Sequence, residues 1–343
     1  MQPESIKLSP RQKKIRLVRA YLARAPVWCA WQVTYRCNFR CRICNYWKEP
    51  HSAAEELSIQ DFERGAANLA RGGSRLVNLA GGEPLLRPDL GEIVEVLARQ
   101  HFPFLTTNGW HVSAERASRL WQAGLWGVSV SVDYPDAVRH DEQRGRPGAL
   151  DEAIRAVEAF RDTRTARHQR VNIMAVLTAD NRDDLEGVVA LAERLGVNFM
   201  VQPYGILKTG DESHRARPPV SARLLELRRK YRAVLSNPYF LSRFDAALDG
   251  GVSGCRAGQA TFNIDHRGLV AKCVEDRTNP VGSIVGTPMP QLVRLLRERW
   301  KANTCRSCWY NCRGEVEALY SIRGLMASLP MLFAQPRARQ PGA

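Results

Sequence analysis

No apolar run in this 343-residue chain approaches the roughly 20 residues that a bilayer-spanning helix requires. The positive charges near the N-terminus are not followed by a compact hydrophobic segment, so no secretory signal is expected. Internal repeats and low-complexity tracts are also missing, and the composition excludes disorder, collagen and coiled coil. Acidic residues are scarce: 35 Asp and Glu stand against 50 Lys and Arg, a net charge of +15. Positions 1–24 hold seven of the basic residues against one Glu, a net of +6, so the excess is weighted toward an N-terminal arm. What remains is ordinary globular composition, 44% apolar and 25% charged. A chain of this length buries roughly 75% of its surface without disulfide staples. Its nine cysteines therefore read as metal ligands or redox groups in a reducing, cytoplasmic setting.

From Val27 to about Tyr204, short runs rich in β-branched residues alternate with helical patterns. The strands are expected at Val27–Tyr35, Arg75–Ala80, Phe104–Thr107, Gly127–Val132, Val171–Leu177 and Asn198–Gln202. Helices are expected near Ser58–Arg71, Leu90–Gln100, Ala114–Ala123, Ala149–Phe160 and Asp184–Leu195. Six such units predict a mixed α/β fold, a partial (β/α)6 TIM-like barrel with its chemistry on loops at the C-terminal ends of the strands. The domain expectation is a basic arm at 1–26, a barrel at 27–207, a linker and helix at 208–249, a Cys-rich module at 250–315 and a tail at 316–343. Within 208–249 a helix is expected from Ser221 to Leu235, with Ser221 as its N-cap. In the Cys-rich module, Thr261–Ile264 and Leu269–Cys273 should form a hairpin around Asp265-His266-Arg267-Gly268.

The decisive motif is Cys37-Asn-Phe-Arg-Cys41-Arg-Ile-Cys44, immediately after the first strand. Zinc usually takes a fourth ligand and C-x2-C pairs, and no fourth ligand lies nearby. Three thiolates suit a [4Fe–4S] cube with one iron left open. Gly81-Gly82-Glu83-Pro84 follows the second strand, Thr106-Thr107-Asn108-Gly109 the third, and Ser129-Val-Ser131-Val-Asp133 ends the fourth. Alone, the glycine segment would read as a tight strand-to-helix turn. Together these motifs resemble the radical S-adenosylmethionine (SAM) superfamily over about residues 27–205. The resemblance implies that SAM chelates the open iron and is cleaved reductively to a 5′-deoxyadenosyl radical. It places Gly81 and Gly82 close to the cofactor, Glu83 on the SAM ammonium, Ser131 on the ribose or carboxylate, and Thr107 or Asn108 at the floor of the substrate site. Arg144, in Asp141-Glu-Gln-Arg144-Gly145, would lie near the SAM carboxylate or would be an ordinary surface arginine. Tyr46 and Trp47 either shield the cluster or pack in the core, and Cys29, inside strand one, reads as a small buried hydrophobe.

The second cysteine set is Cys255, Cys273, Cys305, Cys308 and Cys312. A C-x12-G-x4-C hairpin followed by C-x2-C resembles the SPASM/twitch appendage of the same superfamily, which carries auxiliary Fe–S clusters. Five cysteines complete one cluster and not two, with zinc as the rival occupant. The fourth ligand is open among Cys305, Cys308 and Cys312; the resemblance favours Cys305 and Cys308, which leaves Cys312 spare.

The expected function is thus a radical SAM enzyme that abstracts hydrogen from a peptide or a small metabolite, for oxidation or bond formation. Peptide-modifying relatives often carry a leader-binding domain before the barrel, and fewer than 30 residues precede strand one here. A lipid-like substrate would explain the basic arm and the apolar stretch Leu325–Phe333; nucleic acid is the least favoured partner. A non-catalytic Fe–S carrier or sensor is the reading from a different class. The cluster needs an electron donor, expected to be a flavodoxin or ferredoxin. In the arm, Ile15, Val18 and Leu22 share one helical face. That helix would pack on the open edge or bottom of the barrel, steer the acidic donor, or rest on an anionic membrane surface.

Overall fold

The computed structural model describes residues 7–333; the first six residues of the arm and the last ten of the tail lie outside the described residues. Helix α1 (Pro10–Leu22) leads into β1 (Trp28–Thr34), α2 (Ile59–Arg71), β2 (Leu76–Gly81), α3 (Leu90–Ala98), β3 (Phe102–Thr107), α4 (Ala114–Gln122) and β4 (Gly127–Ser131). Next come α5 (Ala137–Arg144), α6 (Ala149–Asp162), β5 (Arg170–Leu177), α7 (Leu185–Arg194) and β6 (Asn198–Pro203). The remainder contains α8 (Ser221–Lys230), α9 (Pro238–Leu241), α10 (Phe244–Asp249), β7 (Thr261–Ile264), β8 (Leu269–Ala271), β9 (Gly282–Ser283), α11 (Met289–Lys301), α12 (Asn311–Ala318) and α13 (Ile322–Phe333). Among the described residues no helix is long and apolar enough to cross a membrane.

The strands form one sheet in the order β6-β5-β4-β3-β2-β1-β7-β8-β9. Neighbours from β6 through to β7 run parallel, and β7, β8 and β9 are antiparallel. The first six strands, with their crossover helices, make the partial (β/α)6 barrel. The hairpin of the Cys-rich module extends the same sheet, because β7 pairs with the free side of β1. Side chains divide by parity. Cys29, Trp31 and Val33 of β1 are fully buried, Trp31 lying against Phe62 of α2 at 4.9 Å. Trp28, Ala30 and Gln32 line the barrel interior, as do Ser129 and Ser131 of β4. A two-residue period therefore puts the apolar set against the helices and a mixed set around the cavity.

The chain departs from expectation in three places. Helix α5 inserts after β4, capped by Asp136, whose carboxylate accepts from the Arg139 amide, and ended by Gly145 in the left-handed region at φ 62°. Helix α8 stops at Lys230, and Ser221 is its first residue, not its N-cap. The cap comes from α10: the Asp245 carboxylate accepts from the Val220 and Ser221 amides at 2.7 and 3.1 Å, and the Ser221 hydroxyl accepts from the Asp245 amide at 3.0 Å. Residues 233–235 leave the helical path to cover the edge of β6, with Phe199 donating to the Ala233 carbonyl and the Leu235 amide donating to Phe199. An uncovered sheet edge is costly, and pairing there outweighs another turn of helix.

Helix α1 lies across the N-terminal ends of the strands. Its buried side carries Lys13, whose ammonium donates to the Ala98 carbonyl at 2.9 Å and the His101 carbonyl at 3.2 Å. Arg16 donates to the Ala70 carbonyl. These cations thus close the C-terminal ends of α3 and α2, where carbonyls lack partners and the helix dipole is negative. Consequently Ile15, Val18 and Leu22 turn outward, 43, 55 and 71% exposed.

Candidate functional site

Past Thr34 the chain enters the cysteine loop. Its base is held by an ion network: Arg36 reaches both oxygens of Glu56 at 2.8 and 3.0 Å, and Arg87 donates to the Val33 and Leu57 carbonyls at 3.2 and 2.9 Å. Its middle is held by α5, whose last carbonyls, Arg144 and Gln143, accept from the Arg40 and Arg42 amides at 3.3 and 3.0 Å. A Cβ at Gly145 would strike the Arg40 carbonyl, so glycine is required there for this contact as well as for its φ. The loop is pinned against the C-terminal ends of the strands, and Cys37, Cys41 and Cys44 line a cavity of about 440 Å³.

Gly81, Gly82, Glu83, Thr107, Asn108, Ser131 and Arg144 line that same cavity. The close approach at the two glycines is to the chain itself: a Cβ would strike the Thr34 carbonyl at Gly81 and the Arg36 carbonyl at Gly82. The Gly82 and Glu83 amides instead donate to those carbonyls, both at 2.8 Å. Glu83 accepts from the Leu85 amide at 2.9 Å, the Thr107 hydroxyl at 2.7 Å and the Asn108 amide at 2.7 Å. Burial raises its carboxyl pKa, and these hydrogen bonds oppose the shift. Three donors leave one of about four lone-pair positions for a ligand cation. Arg144 pairs with the buried Asp133 at 2.7 Å. Burial works against the guanidinium charge, but Asp133 and the Cys41 sulfur hold its pKa above the ordinary value. A fixed positive charge thus sits beside the cysteine loop.

Burial pushes the Cys37 thiol up to about 12 and the Cys41 thiol to about 11. A metal must therefore displace their protons to bind. Among the described residues no three cysteine sulfurs gather within 4.8 Å of one another. Three thiols on one loop, with no fourth protein ligand grouped with them among the described residues, suit a cluster that leaves one metal position open.

The far wall of the cavity brings in residues from beyond the barrel. Cys312, Tyr310 and Lys208 line it with Tyr46. Lys208 donates to the Tyr46 hydroxyl at 3.0 Å and pairs with Glu275 at 2.9 Å; the Tyr310 hydroxyl donates to Glu275 at 3.0 Å. Burial works against the Lys208 charge, but Tyr46, Glu275 and Tyr310 hold its pKa well above the usual ammonium range. Sequence reasoning placed Lys208 at the start of a linker, since its partners are far away along the chain. Behind this wall the Cys312 thiol is raised by burial and then by Cys308, Cys273 and Cys255. Burial likewise lifts Cys308 to about 12 and Cys273 to about 11. Arg313 ties the region together, donating to the Cys308 carbonyl at 2.7 Å, to Ser253 at 3.3 Å and to Glu317 at 3.1 Å.

A radical SAM superfamily profile matches residues 31–192. The AdoMet-dependent heme synthase of Nitratidesulfovibrio vulgaris is 25% identical over 91% of this chain and 93% of its own. The mycofactocin maturase MftC of Mycobacterium ulcerans is 29% identical over 88% of this chain and 85% of its own. The PqqA peptide cyclase of Methylorubrum populi is 26% identical over 86% and 82%. Among solved structures, Streptococcus suis SuiB bound to the precursor peptide SuiA superposes with a TM-score of 0.64 at 16% identity, covering 92% of this chain and 77% of that one. Native anSMEcpe with bound AdoMet gives 0.62 at 16% identity, covering 90% and 98%. The cysteine loop over an open parallel barrel, the cavity beneath it and these likenesses agree: residues 31–192 form a radical SAM domain, and a Cys-rich region follows on its C-terminal side.

Proposed function

We propose that this chain modifies a peptide side chain in the cavity between its two cysteine sets. One observation carries the reading: Cys37, Cys41 and Cys44 line the same cavity as Cys312, Lys208 and Tyr310, so one substrate position reaches both centres. The peptide cyclase and the peptide-bound SuiB structure support a peptide over a free metabolite. When bound, a [4Fe–4S] cluster and SAM supply a 5′-deoxyadenosyl radical that removes hydrogen from an unactivated carbon.

The chain's own residues do the rest. Cys37, Cys41 and Cys44 would hold three irons of the SAM cluster. Glu83, kept in place by Thr107 and Asn108, would accept from the SAM ammonium; Gly81, Gly82 and Ser131 would meet the rest of the cofactor, and Arg144 would face its carboxylate. Phe39, Ile43, Met174 and Met200 form an apolar wall that excludes water. Lys208 spends two N–H groups on Tyr46 and Glu275, leaving the third for a substrate carbonyl or carboxylate. Cys255, Cys273, Cys308 and Cys312 would hold one auxiliary cluster. Cys305 is then the spare, in place of the Cys312 that the resemblance left over, because Cys312 lines the cavity and its thiol is raised by Cys308, Cys273 and Cys255. An acidic flavodoxin or ferredoxin is the partner that a +15 chain attracts, in the cytoplasm where cysteines stay reduced.

The test mixes anaerobically reconstituted protein with dithionite, SAM and any short peptide encoded beside its gene. The wild type should release 5′-deoxyadenosine and change a peptide's mass, and Cys41→Ala should release none. Lys208→Gln should still cleave SAM while yielding roughly tenfold less modified peptide per 5′-deoxyadenosine. Turnover of a small metabolite but of no peptide would overturn the substrate reading. Release at the wild-type rate by Cys41→Ala would overturn the whole reading.

A further inference from the structure

Beyond Tyr46 the cysteine loop runs through residues 49–57 before α2, and there it meets the turn between β7 and β8. His51, Glu55 and His266 each offer one ligand atom, and those atoms all lie within 4.8 Å of one another. His266, in the turn, is only 4% exposed, and neither of its ring nitrogens has a hydrogen-bond partner. His51 Nε2 is also buried without a hydrogen bond, with the Glu49 carboxylate 3.6 Å away. Buried ring nitrogens normally find a donor or acceptor, because each has given up water. Two unsatisfied imidazoles beside a carboxylate point to a missing partner.

The surroundings hold these groups in place. The rings of Tyr35 and His51 are 5.1 Å apart, those of Tyr35 and His266 4.8 Å, and those of the two histidines 5.6 Å. The Leu57 amide donates to the His266 carbonyl at 2.9 Å, joining the two segments directly. Nearby cations are already answered: Arg277 pairs with Glu49 at 2.8 Å and Arg267 with Asp265 at 3.6 Å. With Glu55 added, three carboxylates face two guanidinium groups, a balance that favours a cation.

We propose that His51, Glu55 and His266 bind one divalent cation of the zinc class. Two imidazoles and a carboxylate are the borderline donors such ions prefer. Bonds of about 2.0–2.2 Å place such donors about 3.3 Å apart, so side-chain rotations close the span. The fourth position falls to water or Glu49. This ion would bolt the segment that carries Tyr46 and Trp47, both on the cavity wall, to the hairpin of the Cys-rich module. It contains no cysteine and is separate from both clusters.

The test uses the full chain with its iron–sulfur clusters reconstituted, so that the cluster-forming thiols are occupied. After exposure to Zn²⁺ and desalting, the wild type should retain about one equivalent of zinc. His51→Ala and His266→Ala should each retain little, and Glu55→Gln less than the wild type, all with unchanged iron. If the buried His266→Ala change prevents folding, the half-buried His51 decides. Equal zinc in the wild type and His51→Ala overturns the proposal. Zinc that disappears only when iron does also overturns it, because that metal would sit on cysteine.

Discussion

Glu315 on α12 accepts from the Asn237 amide through both carboxylate oxygens, at 3.1 and 3.2 Å. Burial lifts its pKa from an ordinary 4.5 to about 7. Between those values the folded chain keeps a proton that the unfolded chain has lost. The contribution of Glu315 to stability is therefore fully present below about 4.5 and is lost as pH climbs to about 7. For this buried carboxyl the change is on the order of 3 kcal/mol. Glu315→Gln should flatten that slope and make the variant more stable than the wild type at about pH 8, as read by urea midpoints. Parallel pH profiles for the two proteins would contradict it. Legibility at this scale followed distance along the chain. Cys37, Cys41 and Cys44 were visible because one loop carries all three. Lys208 was not, because its partner Tyr46 lies 162 positions away.

Helix α1 shows why a charge pattern did not reveal which face packs. Its apolar residues Ile15, Val18 and Leu22 suggested the buried side, yet Lys13 and Arg16 are the ones that turn inward, toward carbonyls at the ends of α3 and α2. Lys13→Ala leaves the Ala98 and His101 carbonyls unpaired and should cost about 2 kcal/mol. Lys14→Ala, on the exposed side, should change stability by less than about 0.5 kcal/mol. Chemical denaturation separates the two, and equal effects would refute the capping role. The outward cations Arg11, Lys14 and Arg19 are free of that duty, so reversing their charge tests donor docking without unfolding the barrel. Flavodoxin-driven turnover should slow roughly tenfold while dithionite-driven turnover stays unchanged. Salt-sensitive binding to anionic liposomes, lost in the same variant, would favour a membrane surface instead.

For the whole molecule, one SAM cluster and one auxiliary cluster require about eight irons per chain after anaerobic reconstitution. Cys305→Ala should keep about eight, and Cys312→Ala should fall to about four. The opposite pattern would restore the assignment that the family resemblance implied, and about four irons with stoichiometric zinc in the wild type would make the second site a zinc site. Much of this architecture was legible in the residues alone. Near-continuous apolar strands, amphipathic helices and motifs at successive strand ends specify a partial barrel, because periodicity and loop spacing are local signals set by backbone geometry. Helix α5 escaped notice although Asp136 and Gly145 mark its ends, since its eight residues bury no apolar stripe. Only the tertiary structure joined β7 to β1, so that one sheet carries both cysteine regions. It alone set Lys208 between Tyr46 and Glu275, and His51 beside His266. Those pairings are between segments far apart in sequence; they depend on packing and hydrogen-bond satisfaction across the whole core, which no local pattern of residues records.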